Sequence, residues 1–86
     1  MFPKLERGKP IPAKLWMRAT DILSDSRTIG NQWVAAGKPK TGLLYDKFCS
    51  IESEYSQMAD SIWFCEWTHD QREEWERIFH NTEGVL

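Results

Sequence analysis

The apolar positions of this chain recur at helical spacing. Leu44, Phe48, Ile51, Tyr55, Met58 and Ile62 follow one another at alternating steps of four and three residues. That spacing puts all six on one side of an α-helix, a heptad-like seam about five turns long. The helix starts at Thr41 or Gly42, and Cys65 continues the seam. Serines 50, 53, 56 and 61 dilute its helix propensity, and Asp60-Ser61 is a place where it could break.

Upstream, Leu15, Trp16, Ala19, Ile22 and Leu23 share one helical stripe, which predicts a first helix over about 12–23 with Pro12 in its first turn. Ser24-Asp25-Ser26 then reads as a break and a cap for a second helix over about 26–36, carrying Ile29, Trp33 and Val34 inward. Gly37 followed by Lys38-Pro39 is a strong stop. Near the other end, Thr68-x-x-Gln71 has the form of a capping box. A last helix follows over about 69–80, with Trp75, Ile78 and Phe79 inward and Asn81 and Gly84 beyond it. Trp63-Phe64-Cys65-Glu66-Trp67 fits either a helix end or a short extended segment. Residues 1–11 hold Pro3 and Pro10 without periodicity and read as an extended basic arm. The expectation is one all-α domain over 1–86: an N-terminal arm at 1–11 and a bundle of about four helices over 12–82.

Composition changes this picture in two ways. Five Trp, four Phe and two Tyr supply a large apolar load for 86 residues. Each buries roughly 150–250 Å² when it enters a core, and each can equally anchor an interface. The net charge of −2 conceals a polar distribution. Residues 1–47 hold nine basic and four acidic groups, whereas residues 48–86 hold two basic and nine acidic ones. The two halves can attract one another within the fold or steer partners of opposite charge. No stretch approaches the roughly 20 apolar residues of a membrane span. The first residues lack the apolar run of an export signal, which with only two cysteines leads us to expect a reducing, cytoplasmic setting and free thiols.

Candidate chemistry is sparse. Cys49, Cys65, His69 and His80 do not form the close pairs, about two to five residues apart, that structural zinc sites use. Cys65 and His69 are the sequence-near thiol and base, and they read as a buried thiol beside an exposed helix-start histidine. Cys49 reads as a small apolar filler beside Phe48, and Glu73, Glu74 and Glu76 as a solvated helix face. The five glycines are scattered and form no phosphate loop. Neither catalytic residues, nor a metal, nor a cofactor is expected.

Residues 15–34 resemble a helix-turn-helix unit of the phage repressor and excisionase kind. Ala19 stands where that motif wants a small residue, Ile22 and Ile29 at core positions, and Trp33-Val34 before Gly37-Lys38-Pro39 at the helix end. Leu23 stands where the turn glycine usually falls, and Ser24 where an apolar residue usually follows. The resemblance implies that Arg27, Thr28, Asn31 and Gln32 face the major groove, with Lys38, Lys40 and the arm on phosphates.

A second reading rests on Trp63, Phe64 and Trp67, which one helical face cannot hide together with the seam. Such clusters mark partner sites, and Glu66, Asp70, Glu73, Glu74 and Glu76 give this one an acidic rim suited to a basic surface, with Glu66, Asp70 and Glu74 the acids assigned to the site. A short chain with many Trp and no catalytic motif has the look of bacteriophage accessory proteins that dock on a host enzyme or complex. The leading expectation is thus a non-catalytic protein that binds and modulates or inhibits another protein. A DNA-binding regulator is the alternative. The seam is open to being internal or a homodimer interface.

Overall fold

Three helices form in the computed structural model, which describes residues 2–80: α1 (Ala13–Ala35), α2 (Leu43–Ile62) and α3 (His69–His80). The architecture is all-α, with one helix fewer than the periodicity suggested. Among the described residues the only strand-like pairing is an isolated parallel bridge between Pro10 and Glu66. No helix among them is long and apolar enough to cross a membrane.

The missing boundary is the one at Ser24-Asp25-Ser26, which is helical throughout. Trp16, Ala19, Ile22, Leu23 and Ser26 are buried on one continuous face of α1, and Leu23 is wholly enclosed. Ser26, expected to cap a new helix, instead donates its hydroxyl to Glu52 Oε1 on α2 at 3.2 Å. Ser and Asp inside a helix cost only a few tenths of a kcal/mol each. Burial of the stripe on both sides of them outweighs that cost, so the two expected helices are one.

The end of α1 falls where the sequence placed it. Gly37 adopts φ 87°, and the amides of Gly37 and Lys38 donate to Val34 O at 3.0 Å and Trp33 O at 2.9 Å. This pair of bonds is a Schellman motif, which satisfies carbonyls the helix end would leave open. Trp33 then fixes the connection to α2, stacking on Phe48 with ring centres 4.2 Å apart and donating its indole N–H to Pro39 O at 2.8 Å.

The seam on α2 packs within the chain. Ile51, Met58 and Ile62 are buried in the same cluster as the α1 stripe, with Tyr55 packed against it. The helix ends at Ile62 with Trp63 as its C-cap, residues 63–64 form a turn, and Glu66 pairs with Pro10 in the isolated bridge, so the ambiguous 63–67 segment starts as a helix end and passes into a short extended stretch. The capping box forms as expected: Thr68 N–H donates to Gln71 Oε1 at 2.9 Å, and Gln71 N–H donates to Thr68 Oγ1 at 3.1 Å. Trp75 and Ile78 are half-buried, while Phe79, expected inward, is 37% exposed under the Arg27 guanidinium. The expected stops at Asn81 and Gly84 lie outside the described residues.

The N-terminal arm is extended but is not free. Phe2 and Ile11 are buried and Leu5 packs against the core. Gly8 N–H donates to Phe64 O at 2.8 Å, and Glu66 N–H donates to Lys9 O at 2.9 Å. The arm therefore lies along the segment that follows α2. α1 packs along α2 and over a shorter stretch on α3, whereas α2 and α3 diverge from one another.

Candidate functional site: an aromatic turn between two grooves

The five tryptophans divide into three groups. Trp16, Trp67 and Trp75 form an interlocked cluster, with ring centres 5.1 Å apart for Trp16–Trp67, 5.2 Å for Trp67–Trp75 and 6.0 Å for Trp16–Trp75. The first two contacts are edge-to-face, the arrangement the ring quadrupoles favour. This cluster occupies the space where α3 leans on α1. Trp33 closes the opposite end of the α1–α2 pair with Phe48. Trp63 does neither.

Trp63 is 70% exposed and its neighbour Phe64 54% exposed. The turn that carries them is held on both sides. Trp63 N–H reaches back to Ala59 O at 2.9 Å, Cys65 N–H to Ile62 O at 3.1 Å, and Phe64 O accepts from Gly8. Trp67 adds its indole N–H to Ile62 O at 2.9 Å. The two rings thus project from a fixed backbone, which lowers the ordering cost of using them in a complex.

The predicted partner-binding set splits accordingly. Trp63, Phe64, Glu66 and Asp70 are at the surface. Trp67 is half-buried in the tryptophan cluster, packed edge-to-face on Trp16 and Trp75, and also lines the hollow beside Trp63. Glu74 is half-buried too, and its Oε1 accepts the indole N–H of Trp16. That bond across to α1 takes Glu74 out of the expected solvated rim, leaving Glu73 and Glu76 exposed on α3.

The turn separates two hollows. Phe64 faces one of about 610 Å³, walled by the arm residues Phe2 and Leu5, with Lys4, Arg7 and Asp60 around it. The Arg7 guanidinium lies over the Phe64 ring, 4.2 Å from its centre, and that of Arg18 lies 5.8 Å from the centre of Phe2. Trp63 faces the divergence of α2 and α3, a hollow of about 310 Å³ lined by Tyr55, Ile62, Trp75 and Phe79 with Glu76 at its side. Burial holds the Tyr55 hydroxyl above its ordinary pKa, with the Glu52 carboxylate adding to the effect. The arm's contribution is absent from the sequence reading, because Phe2, Leu5 and Ile11 have no helical period to announce them.

The thiol and imidazole candidates do not assemble. The Cys65 thiol sits against Ser61 O at 3.5 Å and Glu6 O at 3.6 Å, and burial raises its pKa above the usual thiol value. His69 is well exposed and pairs with Glu73 at 2.8 Å. Cys49, expected as an apolar filler, is exposed on the outer face of α2, because the seam turns Phe48 and Ile51 inward on either side of it.

The nucleic-acid candidates lie along the end of α1 and the connection that follows it. Arg27 is half-buried with its guanidinium over the Phe79 ring, 4.6 Å from the centre. Thr28 and Asn31 are half-buried and Gln32 is exposed, all on the uninterrupted α1. Lys38 and Lys40 are exposed in the α1–α2 connection. That connection lies one α2 length from the aromatic turn, about 30 Å at 1.5 Å per residue.

No protein-family model, curated protein or solved structure matches the chain.

Proposed function

We propose that this chain is a non-catalytic binding protein that docks on another protein through the aromatic turn and thereby modulates or inhibits it. The observation that carries this reading is the exposure of Trp63 and Phe64 on a backbone clamped by hydrogen bonds. Folding has gathered three tryptophans into a cluster at this end of the molecule, Trp16 buried and Trp67 and Trp75 half-buried, and left the neighbouring Trp63 and Phe64 rings exposed. Large aromatics on rigid turns, set beside hollows, are the usual anchors of protein interfaces. A host enzyme or complex of the kind engaged by bacteriophage accessory proteins is the partner class we infer.

The docking reading is further supported by the absence of a break at residues 24–26, where the helix-turn-helix resemblance placed its turn, and by the contact of Arg27 with Phe79 on α3. The docking reading is tested by affinity capture from nuclease-treated bacterial lysate with the wild-type chain and with Trp63→Ala and Phe64→Ala. A stoichiometric protein retained by the wild type should be lost with Trp63→Ala, at a cost of about 2 kcal/mol or more. Equal retention by both variants refutes the site.

A further inference from the structure

We propose that the groove between the N-terminal arm and the end of α2 receives an acidic segment of the protein partner, with a bulky apolar side chain of that segment inserted against Phe2, Leu5 and Phe64. The proposal rests on the docking reading above and names the chemistry of what docks. The groove measures about 610 Å³, within the range of roughly 300–1,000 Å³ that binding pockets occupy, and those three apolar side chains line it together with Pro3, Gln57 and Ser61.

Its charges choose the occupant. Lys4 and Arg7 line the groove, and among the described residues neither is paired with a carboxylate. The surrounding stretch reinforces them: residues 2–20 hold Lys4, Arg7, Lys9, Lys14 and Arg18 against Glu6 alone. Arg7 is already positioned, because its guanidinium lies over the Phe64 ring at 4.2 Å. Stacking engages the face of that group and leaves its five N–H donors directed along the edge, the geometry that grips a carboxylate. Asp60 is the single acid lining the groove, and it sets a place where the incoming segment carries no negative charge. A basic segment meets two like charges here and one opposite charge. A phosphodiester chain satisfies Lys4 and Arg7 but offers its backbone, not an apolar side chain, to the Phe2–Leu5–Phe64 wall.

The test uses the full chain, labelled with ¹⁵N, and three probes: the blocked peptides Asp-Glu-Trp-Asp-Glu and Lys-Lys-Trp-Lys-Lys, and a short oligothymidylate. The acidic peptide should shift the amides of the arm and of residues 57–64 in a saturable way, and bind at least about tenfold more tightly than the basic one. Its affinity for the wild-type chain should fall steeply with added salt. Lys4→Glu combined with Arg7→Glu should weaken it by about tenfold or more, with resonances outside the arm and residues 57–66 unchanged. Equal binding of the two peptides, tighter binding of the oligothymidylate, or shifts confined to another surface would overturn the proposal. If the acidic peptide fails while Trp63→Ala still abolishes partner capture, the groove assignment falls and the docking reading stands. If the peptide binds as described while capture ignores Trp63 and Phe64, the groove stands and the docking reading falls.

Discussion

Replacing Trp67 by Ala distinguishes a core tryptophan from an interface tryptophan. Trp67 joins Trp16 and Trp75 edge to face at 5.1 and 5.2 Å, and its indole N–H holds the last carbonyl of α2 at 2.9 Å. Truncating a buried Trp to Ala costs about 3–5 kcal/mol. Trp67 is half-buried, which places it at the low end, near 3 kcal/mol. Each aromatic contact contributes about 0.5–1.5 kcal/mol of that beyond area, and the hydrogen bond a comparable amount. A chain of this size has a total stability of about 4–13 kcal/mol, so the loss is a large share of it. Thermal unfolding followed by circular dichroism should show a melting temperature lowered by about 12–24 °C, at 4–8 °C per kcal/mol for a small domain. Trp63→Ala, at a surface position, should stay within about 4 °C of the wild type. A Trp67→Ala chain that melts within about 4 °C of the wild type, or a Trp63→Ala chain that loses as much as Trp67→Ala, would refute this division of the tryptophans.

Three further outcomes are expected. Asp25→Pro should cost about 3 kcal/mol and lower the helical circular dichroism signal, because Pro inside a helix removes a hydrogen bond and clashes with the preceding turn; a turn at 24–26 would tolerate it. Thr68→Ala should cost about 1 kcal/mol by removing the cap of α3, seen as faster amide exchange in the first turn of α3 with α1 unaffected. An aromatic disulfide reagent at mildly alkaline pH should modify Cys49 well before Cys65, since Cys49 is exposed and burial raises the Cys65 thiol. The same shift makes the folded chain lose stability as pH climbs past the ordinary thiol value of about 8.5, because the unfolded thiol ionises first. Simultaneous modification of both cysteines would contradict the placement of Cys65.

Where an element is specified by residues close together in the chain, it was legible in the sequence. The 4-3-4-3-4 seam of α2, the Gly37 stop and the Thr68/Gln71 capping box each rest on interactions spanning a few residues, and each forms as read. Of Trp63, Phe64 and Trp67, the three rings that one helix face cannot hide with the seam, the first two are exposed and the third is half-buried. What the sequence could not decide depends on partners far along the chain. Ser26 meets Glu52, and that contact, with the buried stripe on either side, makes one helix of two. Phe64 meets Gly8 and Arg7, which turns an apparently free basic arm into the wall of a groove. Trp67 meets Trp16 and Trp75, and Glu74 meets Trp16, contacts across the fold that half-bury both. Local propensities differ by tenths of a kcal/mol per residue, whereas enclosing a large side chain contributes about 1.5–3 kcal/mol. Local pattern therefore proposed the helices, and long-range burial decided where one continued and which aromatic rings remained in water.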